Sequence, residues 1–280
     1  MNILAFTGLL WLGSLVAGFI GSLTGLGGGV VIVPLLVLAF GVNIRYAIGA
    51  SLVSVIATSS GAAAAYVTEG YSNIRIAMFL EIATTMGALV GVAIATHVST
   101  SGIAIVFGVV LLYSAYLSRA EHADHTDTSN GDRLARVLRM NSTYPDANGL
   151  RPYCVHHVLG GFGLMLVAGA LSGLLGIGSG AVKVLAMDRV MRLPFKVSTT
   201  TSNFMIGVTA AASAGVYLHR GYIDPGLAMP VMLGVLAGAL AGARVLRVAE
   251  VTLLRTTFVW VIVVLALEML YNGYTGRLCC

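Results

Sequence analysis

The chain has 280 residues, of which 58% are hydrophobic and only 10% are charged, and its mean hydropathy is +0.92. Soluble domains carry about 25% charged residues, so the composition excludes an ordinary soluble protein and indicates a polytopic protein of the lipid bilayer. The formal net charge of +5 does not indicate nucleic acid as a partner, because the cations lie in loops between apolar segments rather than in a basic, aromatic-rich stripe.

The first part of the chain predicts five membrane elements, with a glycine-rich break after the first. In chain order they span 3–24, 30–40, 47–66, 76–96 and 102–118. Four of them approach the roughly 20 apolar residues that a helix needs to cross the bilayer. The second, at about 1.5 Å per residue, reaches only about half of that thickness. We therefore expect a broken hairpin, in which the chain unwinds at the glycines and 30–40 returns as a half-helix.

A polar stretch, 119–157, separates this first repeat from a second set of membrane elements. It is too hydrophilic for lipid, so we expect a cytoplasmic linker between the membrane regions 1–118 and 158–280, with a short amphipathic helix near Arg133. The second set of elements spans 159–175, 181–191, 197–218, 226–246 and 256–271. The second half therefore has the same order of long and short elements as the first.

The two halves are related by an internal repeat at a constant offset of 151 residues, set by placing Gly18 on Gly169. Glycine, hydroxyl and tyrosine positions then coincide: Gly25, Gly27 and Gly29 with Gly176, Gly178 and Gly180, Ser51 with Ser202, Thr58 with Thr209, and Tyr66 with Tyr217. Apolar composition alone does not place such residues in phase, so we infer a duplication.

An odd number of elements in each half predicts that the second half is inserted upside down, and the cations test this. The side of the N-terminus then receives three cations, Arg45, Arg220 and Arg277. The other side receives twelve, namely Arg75, Arg119, Arg133, Arg136, Arg139, Arg151, Arg189, Arg192, Lys196, Arg244, Arg247 and Arg255. By the positive-inside rule the second side is cytoplasmic and the N-terminus is outside.

A parallel arrangement, with the first two elements counted as one crossing, divides the cations eight against seven and gives no such bias. The predicted fold is therefore an all-α polytopic membrane protein of two inverted five-element repeats, with broken or re-entrant helices at the glycine-rich motifs.

The glycine-rich breaks, GLGGG at Gly25 and GIGSG at Gly176, are the first candidate for a binding site. A helix begins directly after each break, and its first turn offers unpaired N–H groups and the positive end of a helix dipole. Inversion brings one break from each side toward the midplane, where two such helix N-termini form an anion site. The candidate substrate-binding residues of these turns are Gly25, Gly27, Gly28, Gly29, Gly178, Ser179 and Gly180.

Lys183 follows the second break, where the first repeat has Ile32. A lysine within a membrane element costs about 2.5–3.5 kcal/mol on insertion scales, so it is expected to face a cavity or a partner. It either contacts the anionic substrate, pairs with Asp188, or extends toward the cytoplasmic loop. Polar groups of the third elements either line the pathway or serve helix packing. The candidates are Ser51, Thr58, Ser202 and Asn203.

Four further charged residues also leave two interpretations open. Glu81 and Glu268 lie inside apolar elements, and each either carries a coupled proton or reaches the interface. Arg45 and Lys196, which coincide at the offset, either attract anions to opposite mouths of the pathway or anchor loops.

An enzyme is not expected. Ser179 lies between glycines as a nucleophile does, but the candidate bases His97 and His219 fall at predicted helix ends, without a supporting acid. We predict no metal, no cofactor and no catalytic residue.

Two motifs carry a resemblance to a known family. GFIGSLTGLGGGVVIVPLL begins at Gly18 and GALSGLLGIGSG begins at Gly169, and a Ser/Thr-rich helix follows each. This doubled pattern resembles the sulfite exporter family TauE/SafE over nearly all of the chain except the linker. The second motif has Ser179 where the family commonly shows glycine, and Leu185 where the first has Pro34.

The resemblance implies a secondary transporter, with export as the expected direction, for small sulfur-containing anions such as sulfite or organosulfonates in the bacterial inner membrane. We expect alternating access of the two halves around a midplane anion site, coupled to a proton or to sodium. An anion channel and a non-transporting membrane scaffold are the alternatives.

Overall fold

The structure, a computed structural model, describes residues 3–24, 28–68, 72–119, 132–146, 149–246 and 251–276. Most of this part of the chain is helical. The helices of the first half are α1 (Ile3–Thr24), α2 (Gly29–Pro34), α3 (Ile44–Thr68), α4 (Ile74–His97) and α5 (Thr100–Arg119). The linker contains α6 (Arg133–Val137), β1 (Ser142–Asp146) and β2 (Gly149–Tyr153). The second half contains α7 (Val158–Leu175), α8 (Gly180–Leu185), α9 (Phe195–His219), α10 (Pro225–Leu246) and α11 (Val251–Thr275).

These helices agree with an all-α membrane protein. Within the described residues, three helical segments are long and apolar enough to cross a bilayer, Ile74–His97, Val158–Leu175 and Pro225–Gly242. The exception to the all-α prediction is the linker, where β1 and β2 form an antiparallel hairpin with Thr143 opposite Pro152. Proline is tolerated there because each strand of a two-stranded hairpin has a free edge.

The predicted half-length of the second element is confirmed in both halves. α2 continues into a π-helical turn, Leu35–Ala39, and α8 continues into another, Ala186–Val190. Each continuous helix of eleven residues extends about 16 Å, against about 30 Å of hydrocarbon. Pro34 precedes the first π-turn, but Leu185 precedes the second. The change to a π-turn therefore does not require a proline.

The long helices pack in pairs drawn from opposite halves. α1 packs on α10, α4 on α7, and α5 on α11, while α3 lies against α9 at the centre. Small residues allow some of these backbones to touch. A Cβ on Gly87 of α4 would fall on the Leu166 carbonyl oxygen of α7, and a Cβ on Gly169 of α7 would fall on the Thr84 carbonyl oxygen. Such close backbone approach is typical of helix pairs in membranes, where small residues replace interlocking side chains.

The described part of the linker, 132–146 and 149–157, packs on one end of the helical domain. Its Ala135, Met140 and Tyr153 share a buried core with Ile76 and Leu80 of α4. The linker is therefore more than a tether between the two halves.

Asn73, which precedes α4, connects the linker to the membrane helices. Its amide Nδ2 donates to the Met140 carbonyl at 2.8 Å and to the Tyr153 hydroxyl at 2.7 Å. Its Oδ1 accepts from the Ile76 N–H and caps α4, while its own N–H donates to Thr201 of α9. Burial raises the pKa of the Tyr153 phenol, so this hydroxyl stays protonated at neutral pH.

Asn73→Ala is expected to lower the midpoint of thermal unfolding clearly, and Tyr153→Phe to lower it less. The alanine removes the cap of α4, worth about 1 kcal/mol, and leaves the buried Met140 carbonyl without a donor, at a cost of about 1–3 kcal/mol. The phenylalanine removes one hydrogen bond and keeps the cap. Thermal unfolding of the detergent-solubilised variants measures both effects, and equal midpoints for Asn73→Ala and the parent protein would contradict the docking described here.

Candidate functional site

The described ends of the two glycine-rich motifs lie next to each other. Gly29 is the first residue of α2, and a Cβ placed on it would lie 3.2 Å from the carbonyl oxygen of Gly176, at the end of α7. The same Cβ would lie 2.8 Å from the Ser51 hydroxyl oxygen. Ser51 in turn donates a hydrogen bond of 2.8 Å to the Gly176 carbonyl. A side chain at position 29 would therefore separate the two turns.

The second turn has a left-handed backbone. Gly176 and Gly178 have φ of +68° and +69°, and Ser179 has φ of +44°. Glycine adopts this region without the steric cost that a Cβ brings. Ser179 adopts the same region although it has a Cβ. Its hydroxyl donates a hydrogen bond of 2.6 Å to the Ala168 carbonyl of α7. The turn is thereby fixed against α7, and α8 begins at Gly180.

The walls of this junction come from α3 and α9. Val55 of α3 approaches both turns, since its methyl carbons lie 2.9 Å from a Cβ placed on Gly29 and 3.4 Å from one placed on Gly178. On α9, Ser202 donates to the Gly180 carbonyl at 3.4 Å. Ser51, Ser179 and Ser202 are all buried. The junction is therefore closed on the described sides.

The structure brings some of the predicted site residues together at the junction and places others outside it. The junction brings together Gly29, Ser51, Gly178, Ser179, Gly180 and Ser202. Thr58 donates only within α3, to the carbonyls of Ser54 and Val55, and Asn203 is half-buried beside Ser202. Gly28 ends the first turn against Val235 of α10, whereas Gly25 and Gly27 lie outside the described residues.

Lys183 is fully buried one turn into α8 and belongs to a polar network that the sequence did not predict. Its ammonium donates to the Thr209 hydroxyl of α9 at 2.6 Å. The Thr209 oxygen also lies 2.7 Å from Oε1 of Glu81 on α4, which is 7% exposed. Thr85 donates to the same carboxylate oxygen at 3.3 Å. Asp188, the partner considered from the sequence, lies beside Arg189 at 3.9 Å.

A sequence signal for this network does exist. At the offset of 151 residues, Lys183 coincides with Ile32, Glu81 with Met232 and Thr209 with Thr58. Both charges thus stand opposite apolar residues in the other half. Two unmatched charges of opposite sign in a duplicated membrane protein are candidates for a pair, because each alone is costly in lipid.

A second polar feature lies at the other ends of these helices. A shallow cleft is lined by Arg45, Val92, Ala95, Thr96, Tyr217, Arg220 and Tyr222. The Arg45 guanidinium donates to the Tyr222 hydroxyl at 3.3 Å and to the Val98 carbonyl at 3.2 Å. These contacts agree with the loop-anchoring interpretation of Arg45, while the exposed Arg220 leaves the cleft positively charged.

The chain is similar to known membrane proteins over nearly its whole length. The family model described as Sulfite exporter TauE/SafE matches residues 10–269. The probable membrane transporter protein YunE of Bacillus subtilis (strain 168) is 27% identical over 92% of this chain and 95% of its own. The probable membrane transporter protein YdhB of the same strain is 25% identical over 84% of this chain and 87% of its own. A probable membrane transporter protein of Xylella fastidiosa (strain 9a5c) is 25% identical over 92% of this chain and 93% of its own. No solved structure matches the chain.

The family description and the names of these relatives indicate a membrane transporter. The match includes both glycine-rich turns and all the described helices that surround them. The resemblance noted from the two motifs is confirmed, and the chain belongs to the sulfite exporter TauE/SafE family.

Proposed function

We propose that the protein is a secondary transporter of small sulfur-containing anions, such as sulfite or organosulfonates, in the bacterial inner membrane. It works by alternating access of two inverted halves around an anion site at the junction of the glycine turns. The observation that carries this proposal is the contact of Gly29 with Ser51 and Gly176 deep in the helical domain. The family name supports sulfur anions as the substrate class and export as the direction.

The packing of the helices supports two halves related by a pseudo-two-fold axis. Gly18 of α1 faces the Val235 carbonyl of α10, and Gly169 of α7 faces the Thr84 carbonyl of α4. Gly169 lies 151 residues after Gly18, and Val235 lies 151 residues after Thr84. The two contacts are therefore counterparts of each other, as a pseudo-two-fold axis between the halves requires. α2 and α8 also begin at positions that differ by this offset.

The sidedness of charged residues supports an N-terminus on the outside. Arg45 and Arg220, assigned to the outer side by the cation count, line one common cleft. Arg75, assigned to the cytoplasmic side, donates to the Arg139 carbonyl of the linker. This orientation places the cleft at the outer mouth of the pathway and the linker in the cytoplasm.

The junction has the chemistry of an anion site. α2 and α8 begin there, so the positive ends of two helix dipoles point into it. The hydroxyls of Ser51 and Ser202 add neutral donors, and Lys183 adds a cation one turn away. Ser51 now donates to the Gly176 carbonyl, and an arriving anion takes over that donor. Because the junction is buried, loading requires a movement of one turn away from α3 or α9.

A binding and flux screen of the purified protein tests this proposal. We expect sulfite and methanesulfonate to raise the midpoint of thermal unfolding more than acetate or sulfate, and proteoliposomes to concentrate the preferred anion against its gradient. Flux that only dissipates a gradient would identify a channel, and no flux of any anion would contradict the proposal. Ser51→Ala is expected to weaken binding, whereas Ser60→Ala, an exposed hydroxyl on the same helix, serves as the matched control.

A further inference from the structure

We propose that Glu81, Thr209 and Lys183 are the proton-coupling element of this transporter, and that a proton on Glu81 prepares Lys183 to bind the anion. One proton and one monovalent anion then cross together, so the anion leaves the cell only when its outward gradient exceeds the inward proton gradient. This inference rests on the proposed function and adds the coupling ion and the stoichiometry to it.

The hydrogen bonds of Thr209 accommodate both protonation states of Glu81. Its oxygen accepts from Lys183, and its hydroxyl proton has two acceptors in reach, Glu81 Oε1 at 2.7 Å and the Met205 carbonyl at 2.9 Å. When Glu81 is a carboxylate, Thr209 donates to it. When Glu81 carries a proton, the carboxylic acid donates to Thr209, and the hydroxyl turns to Met205. A hydroxyl has one donor and two acceptor positions, so neither state leaves Thr209 unsatisfied.

The charge of the pair changes with the proton. With Glu81 ionised, the carboxylate and the Lys183 ammonium cancel, and Lys183 is held toward Thr209 and Glu81. A proton from water on one side binds the carboxylate and leaves the pair with one net positive charge. A monovalent anion at the glycine junction balances that charge, so the loaded site is neutral. Release of the proton on the opposite side restores the internal pair, and the anion leaves.

In the described part of the structure, the helices that pack on Glu81 and Lys183 bring no other titratable side chain to them. α7, which packs on α4, has none between Val158 and Leu175. α9 has only Tyr217 between Lys196 and His219, and Tyr217 lies at the outer cleft.

The remaining charged groups of the neighbouring elements lie toward helix ends. On the π-turn after α8 they are Asp188 and Arg189, and on α4 they are Arg75 and His97. The linker brings His156 to the Met191 carbonyl at the end of that π-turn. Within the described structure, the buried Glu81 Oε2 has no hydrogen-bond partner. A proton on Glu81 therefore neutralises a carboxylate whose second oxygen has no donor among the described groups.

The fold itself does not require the charges. The equivalent positions of the other half hold Ile32 and Met232, and Ile32 is fully buried in the core. A structural role alone leaves no reason to keep an ammonium and a carboxylate in one half only, since apolar side chains fill the equivalent space without a desolvation cost.

Proteoliposomes loaded with a pH indicator test the inference with methanesulfonate, whose sulfonate group carries no proton at neutral pH. We expect an inward proton gradient to drive methanesulfonate uptake, with one proton entering per anion, without dependence on sodium or membrane potential. Glu81→Gln fixes the positive state, so we expect it to retain exchange of internal for external anion and to lose proton-driven uptake by about tenfold or more. Glu268→Gln, an exposed carboxylate on α11, is the control that should behave as the parent protein.

The outcomes separate this inference from the proposed function. Methanesulfonate flux without proton entry, flux that follows sodium, or proton-driven uptake retained by Glu81→Gln overturns the coupling element and leaves the transporter standing. Absence of flux for every anion overturns the proposed function and this inference with it. If Glu81→Gln does not fold, proton entry in the parent protein still decides whether the anion crosses with a proton.

Discussion

Lys183→Ile is expected to abolish anion-induced stabilisation and to destabilise the fold by about 3–5 kcal/mol. The substitution removes the ammonium that bonds Thr209 and leaves the Glu81 carboxylate buried without a counter-charge, which is the costly way to break a buried pair. Thermal unfolding in detergent, with and without methanesulfonate, measures both losses. Undiminished stabilisation by the anion would remove Lys183 from the site.

The double variant Glu81→Met/Lys183→Ile separates stability from function. It reproduces the residues that the other half carries at the equivalent positions, Met232 and Ile32. We expect it to recover most of the stability that the single variant loses, because replacing a buried ion pair by apolar residues of similar size is often neutral or stabilising. Anion binding and proton-driven uptake should stay absent. Recovered transport in the double variant would contradict a role for either charge.

The positions of the membrane helices could be predicted from hydropathy and from the repeat. The predicted 76–96 and 226–246 correspond to α4 (Ile74–His97) and α10 (Pro225–Leu246). α3 begins at Ile44, three residues before the predicted start at position 47. The charge of Arg45 suggested a loop, but its guanidinium reaches Tyr222 and the Val98 carbonyl from the first turn of the helix. The contacts of Arg45 with other segments thus allow α3 to include a charged residue in its first turn.

The site could be predicted only in part, because its polar contacts are of two kinds. The glycine turns are local motifs, and inversion alone implies that they approach each other. The partner of Lys183 is a long-range contact through Thr209 to Glu81, whereas the sequence suggests only the nearby Asp188 as a partner, beside substrate contact. The sequence does not predict the linker hairpin for a different reason, since Pro145 and Pro152 argue against strands.

Gly169→Ala is expected to destabilise the helical domain by about 1–3 kcal/mol or more. Its new Cβ falls on the Thr84 carbonyl oxygen of α4, and neither atom belongs to a flexible side chain that can move aside. The α4 and α7 backbones must therefore separate, which also moves Glu81 relative to α9. We expect a lower midpoint of thermal unfolding together with reduced flux in proteoliposomes.

Gly163→Ala in the same helix is the matched control. Position 163 has no heavy atom within 4 Å of a Cβ placed there, so the added methyl meets open space. Within a helix, alanine is favoured over glycine by about 0.5–1 kcal/mol, and the control should therefore be as stable as the parent protein or slightly more stable. Equal midpoints for the two alanine variants would show that α4 and α7 do not pack backbone to backbone. A loss for Gly169→Ala alone would show that the α4–α7 contact stabilises the helix that carries Glu81.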